Sequence, residues 1–122
     1  MNNYFEIDDL RYVYLEDSFV LNITESDNEI EYEIEFVLTE NHPLYSAPLN
    51  TEVYCYKKGV LLFRGVSSVI WESRSENQFV DKNDEIDYGN IDCFTFSGQN
   101  FNLSGDWGVI SFKANSVDII LS

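Results

Sequence analysis

Where this chain is most regular, apolar and polar positions alternate with a period of two. The clearest stretch is Ile30-Glu31-Tyr32-Glu33-Ile34-Glu35-Phe36. Successive side chains of a strand point to opposite sides of a sheet. This run therefore predicts a strand over 30–38, with Tyr32 and its apolar neighbours turned inward and the glutamates turned to water. Helical spacing is nearly absent. Further strands are expected over 10–15, 18–23, 66–73, 91–96, 101–103, 109–113 and 117–121. Residues 52–56 and 60–64 read as a hairpin turning at Lys57-Lys58-Gly59.

Between these runs lie turn signals. Asp27-Asn28, Gly98-Gln99-Asn100, Gly105-Asp106-Trp107-Gly108 and Ala114-Asn115-Ser116 carry the residue types that tolerate tight turns. Two prolines, in His42-Pro43 and Ala47-Pro48, make 39–50 irregular. The polar segment 75–89 is the longest candidate loop, with room for a short helical turn. The chain as a whole reads as all-β: an antiparallel sandwich or partly open barrel of about nine short strands, with little or no helix. No linker or change of composition interrupts it, so residues 1–122 are expected to form a single β-domain. A strand at 117–121 implies that the end of the chain is sewn into a sheet.

Charge narrows the choice of partners. The formal net charge is −15, and the first 52 residues hold more than half of the 22 acids against one base, Arg11. Such a surface repels nucleic acid and acidic membranes and attracts basic proteins. Aromatics at 16% and hydrophobics at 44% supply enough apolar material for a core, so acidity here does not signal disorder. The polar, acidic start of the chain lacks the basic and then apolar regions of a secretory signal, which favours a cytoplasmic, bacterial location. Without export, Asn22-Ile23-Thr24 and Asn102-Leu103-Ser104 carry no meaning as glycosylation sequons.

Catalytic material is thin, and the expectation is a protein that is not an enzyme. His42 is the single histidine and precedes a proline; it reads as a loop residue. Cys55 and Cys93 each lie in a strand pattern without a basic neighbour, and both are expected to be buried, reduced thiols. Soft-ligand metal centres need more Cys and His than this. Asp81, Asn83, Glu85, Asp87 and Asp92 have the spacing of a calcium loop. Ile86 replaces the required glycine, however, and the flanks read as strand, so a solvated acidic loop is expected. Phosphate-cradling glycine motifs are absent, and no cofactor is expected.

Three function classes remain. The leading expectation is an acidic protein-binding module, most concretely an immunity-type inhibitor that docks a basic protein such as a toxin nuclease. Its contact residues would be Glu29, Glu31, Glu33 and Glu35, because a row of carboxylates steers and orients a cationic partner. The alternative is a domain that binds a small ligand or carbohydrate through Trp107, Tyr54 and Tyr56. In that scheme Trp107, set between glycines, either plugs the end of the core or projects as a contact, and the plug is favoured. The third class is a structural or assembly subunit, which self-repulsion at this charge disfavours.

Overall fold

The structure is a computed structural model that describes residues 1–48, 53–80 and 84–122. Two antiparallel sheets pack face to face around one contiguous apolar core. The first sheet has strand order β11-β4-β3-β2, formed by β2 (Phe19–Glu25), β3 (Glu29–Leu38), β4 (Cys55–Arg64) and β11 (Ser116–Leu121). The second has order β1-β8-β9-β10-β5, formed by β1 (Asn2–Asn3), β5 (Ser67–Arg74), β8 (Ile91–Ser97), β9 (Asn100–Gly105) and β10 (Gly108–Lys113). A two-stranded ribbon, β6 (Phe79–Val80) with β7 (Ile86–Asp87), lies within the segment expected to be a loop. The only helical pieces among the described residues are three single 3-10 turns near the start, Tyr4–Glu6, Asp8–Leu10 and Leu15–Asp17. The all-β expectation therefore holds. None of these helical pieces is long and apolar enough to cross a membrane.

β3 behaves as its alternation requires. Ile30, Tyr32, Ile34 and Phe36 are buried, while Glu29, Glu31, Glu33 and Glu35 are half-buried or exposed. Inside, Phe63 of β4 gathers four rings, those of Tyr32, Phe94, Phe101 and Phe112, at centroid separations of 4.8 to 6.2 Å. The chain passes between sheets at Gly65-Val66, where the Val66 amide donates to the Asn28 carbonyl, and again at Ala114-Asn115, where the Asn115 amide donates to the Arg64 carbonyl. These two corners tie the layers together at one end.

Three strand expectations need correction. Residues 10–15 do not form a strand. Leu10, Val13 and Leu15 are buried, whereas Tyr12 and Tyr14 are exposed, and only Val13 makes a bridge, to Leu38. Exposure does alternate over 12–15, but the backbone turns into 3-10 geometry on both sides, at Asp8–Leu10 and Leu15–Asp17, which leaves room for one bridge and no strand. Lys57-Lys58-Gly59 is not a turn either. β4 runs unbroken through it because β3 opposes it residue for residue, from Leu38 against Cys55 to Glu29 against Arg64. Gly59 is a close-approach glycine: an added Cβ would lie 2.4 Å from the Ile120 carbonyl oxygen on β11. Thirdly, 75–89 contains the β6–β7 ribbon and no helical turn among its described residues.

Cys55 is buried as expected, but Cys93 is exposed. A bulge between Ile91 and Cys93 inserts Asp92 as an extra residue, so Ile91 and Phe94 both point inward and Cys93 is pushed to the outer side beside Ser104. One added residue reverses every later side chain in a strand.

Tyr32 carries a pH prediction. Its hydroxyl is buried with no hydrogen-bond partner among the described residues. Burial raises its pKa, the Glu25 carboxylate raises it further, and the Arg74 guanidinium partly offsets both. The folded-state value thus exceeds the unfolded one, so the stabilisation is complete below about pH 10 and is lost as pH rises beyond it. Stability to urea is expected to fall by ~1.4 kcal/mol per pH unit above pH ~10 on account of this one group. Tyr32→Phe should make that alkaline limb shallower without removing it, because Tyr4, raised by burial and by its hydrogen bond to Glu16, titrates in the same range; an unchanged slope in the variant would assign the effect elsewhere.

Candidate interaction face

The outward side of the first sheet is read off the strand registers. Its rows run Ser116–Arg64–Glu29, then Asp118–Leu62–Glu31–Thr24, then Ile120–Val60–Glu33–Asn22, and then Lys58–Glu35–Phe19. The four glutamates singled out from the sequence therefore stand on one face, on neighbouring rows. Same-side residues along a strand repeat at roughly 6.5–7 Å, so they form a ladder rather than a cluster.

The ladder is not uniform. Arg64 lies 3.1 Å from Asp118 and 3.9 Å from Glu29, which partly offsets the charge at the upper end. Lys58 faces Glu35 across the β3–β4 pairing at the lower end. Between them Glu31 and Glu33 have no ion pair among the described residues; neither occurs in the four salt bridges there. Beside this central pair Val60 and Ile120 offer apolar surface, Ile120 being 49% exposed, while Leu62 in the next row is buried. Two unpaired carboxylates against an apolar strip make a surface that combines charge steering with something to bury.

The second sheet's outer side is built differently. Its rows are Cys93–Ser104–Val109–Ser73, Thr95–Asn102–Ser111–Ile70 and Ser97–Asn100–Lys113–Ser67. These rows contain no carboxylate. Asp92 falls at the β8 bulge and Glu72 at the irregularity between β5 and β10. Much of the acidity of the sheet surfaces is therefore concentrated on one layer, a division that the sequence pattern of β3 signalled only in part.

The aromatic residues of the alternative reading are placed as follows. Trp107 is 1% exposed; its indole N–H donates to the Asn90 carbonyl at 3.0 Å, and Tyr32 and Trp71 pack edge-on against it. Gly105 makes this possible, because a Cβ there would lie 2.6 Å from the indole nitrogen. Trp107 is thus a plug, with no ring face open for stacking. Tyr54 and Tyr56 are half-buried and meet edge to face, and the Tyr54 hydroxyl donates to the Asp17 carboxylate. That bond raises the Tyr54 pKa.

Of the candidate calcium loop, Asp81 and Asn83 lie outside the described residues. Glu85 is exposed, the Asp87 carboxylate accepts from the Gly89 amide at 2.8 Å, and Asp92 is exposed at the bulge. Among the described residues no three His, Cys, Asp or Glu side chains converge as metal ligands would. His42 sits in a turn where its Nδ1 accepts the Leu44 amide at 3.0 Å, and partial burial lowers its pKa.

A crevice of about 490 Å³ escaped the sequence reading. It lies between β2 and the chain after β5, lined by Asn22, Ile23, Arg74, Gln78, Tyr88 and others. Its residues come from four separate segments and no local spacing announces them. Comparison with protein-family models, curated proteins and solved structures returned no match.

Proposed function

We propose that this protein is an acidic protein-binding module that docks a basic protein on the outward face of β2, β3, β4 and β11, in the manner of an immunity-type inhibitor covering a cationic toxin. The observation that supports this reading most is the central pair, Glu31 and Glu33. Both stand outward beside Val60 and Ile120, while the carboxylates above and below them already face bases of this chain. Carboxylates held against their own repulsion, with no ion pair among the described residues, are matched best by cations from outside.

The experiment is calorimetry of the wild type and of the double variant Glu31→Lys/Glu33→Lys against a purified basic protein, such as a cationic nuclease. Affinity is expected to fall at least ~100-fold on reversal, given the coupling energies of close interfacial charge pairs, and wild-type binding should weaken with added salt. Both substitutions are on the solvent side of a well-packed strand, so the thermal midpoint should stay near that of the wild type. Unchanged affinity in a folded variant would remove this face from the interface.

A further inference from the structure

The crevice beside β2 has the walls of a binding site for a small polar molecule. Arg74, at the end of β5, forms one side. Its guanidinium lies over the Trp71 ring at 4.3 Å from the centroid and donates to the Glu25 carboxylate at 2.6 Å. Opposite, the Gln78 amide donates to the Tyr88 hydroxyl at 3.2 Å, and Asn22 closes the rim towards Glu33. Ile23 supplies the apolar part of the lining, with the buried Trp107 bordering it.

Two buried polar groups stand close by without a hydrogen-bond partner among the described residues: the Tyr32 hydroxyl and the Trp71 indole N–H. The Tyr32 hydroxyl is near enough to Glu25 and Arg74 to feel both charges, and Trp71 lies directly beneath the Arg74 guanidinium. Native interiors rarely leave such groups unpaired, and where they do the cause is often a functional site. The volume falls in the usual range for small-molecule pockets, roughly 300–1,000 Å³.

The lining also limits what fits. The one cation among the described lining residues, Arg74, is already paired with Glu25, and Glu76 adds a negative charge on the wall. An anion would meet those carboxylates and a chain of net charge −15. A cation would meet Arg74. What the walls do offer in number are amides and hydroxyls, from Asn22, Ser75, Gln78 and Tyr88, each able both to donate and to accept.

From this we infer that the crevice between β2 and residues 74–78 is a binding site for a neutral polyhydroxylated molecule, a mono- or disaccharide. Hydroxyls on a sugar ring match walls that donate and accept, and its C–H face matches Ile23. This site differs from the stacking face that the sequence suggested, since Trp107 is buried and Tyr54 and Tyr56 take no part. It shares Asn22 with the rim of the docking face, but its other walls lie elsewhere and its test uses no protein partner.

The chain has two tryptophans, and both border this region, so their indole N–H resonances report on it directly. Nitrogen-edited NMR spectra of the whole protein should be recorded with glucose, galactose, N-acetylglucosamine, maltose and cellobiose, each to ~10 mM, which suits the weak affinities of small ligands. At least one sugar is expected to shift the Trp71 and Trp107 indole signals and the Asn22 and Gln78 side-chain amides saturably. Asn22→Ala and Gln78→Ala, both at exposed positions, should each weaken that binding by about tenfold or more, the equivalent of ~1.4 kcal/mol, while leaving the thermal midpoint unchanged. The assignment is overturned if no sugar gives a saturable shift, if glycerol gives the same shifts at equal concentration, or if neither variant changes the affinity.

Discussion

Removing residues 116–122 is expected to abolish cooperative folding. β11 is the last strand of the chain and pairs along its whole length with β4, from Ser116 against Arg64 to Leu121 against Gly59. Val117, Ile119 and Leu121 pack onto the core from it. Its loss strips one side of the strand that carries Leu61 and Phe63, and it leaves a bare edge with unpaired N–H and carbonyl groups. Domains of this size are stable by only about 5–15 kcal/mol. Uncovering three half-buried apolar side chains at about 1.5–3 kcal/mol each, together with a ladder of hydrogen bonds, takes most of that margin. Near-ultraviolet circular dichroism and urea titration of the truncated chain should show no native-like transition, and the sample should aggregate. A sharp transition within a few degrees of the full-length midpoint would show that β4 does not need this neighbour.

Phe63→Ala carries the next largest effect. Phe63 is fully buried and meets Phe112 at 4.8 Å and Phe101 at 5.3 Å. Truncating such a ring forfeits its transfer free energy and opens a cavity, for a loss of ~3–5 kcal/mol. Four surrounding rings, each fixed by its own neighbours, collapse poorly into the space, which places the loss toward the upper end. Urea unfolding followed by tryptophan fluorescence gives the value directly. A loss under ~1 kcal/mol would mean that the rings repack, which is rare for a closely packed interior. As a control, Val69→Ala on the exposed edge strand β5 should change stability by no more than ~0.5 kcal/mol.

Much of this architecture was legible in the chain because one face of each sheet is buried and the other is wet. Where that contrast is strong, as in β3, the period of two settles both the strand and its inward residues. The sequence failed where a single residue broke the count. Asp92 adds one position to β8 and turns Cys93 outward. Gly59 was taken for a turn because glycine serves two purposes, bending the chain and letting another strand come close; only the neighbour, β11, decides between them. Tyr12 and Tyr14 imitated a strand although the burial belongs to Leu10, Val13 and Leu15.

The candidate surfaces divide in the same way. Glu31 and Glu33 were visible because they lie next to each other in a local pattern. Their apolar companions, Val60 and Ile120, come from strands paired to them at long range, and no local rule connects 33 with 60 or 120. The crevice at Arg74 was invisible for the same reason. It exists because β5 ends where β2 ends, a matter of strand order rather than of spacing.

The bulge at Asp92 has a practical side. With Cys55 shielded and Cys93 accessible on the layer away from the glutamates, a maleimide reagent reaches a single thiol in the folded molecule. A fluorophore or biotin attached there tethers the protein with its carboxylate side directed outward, leaving that side open for binding measurements without any engineered tag.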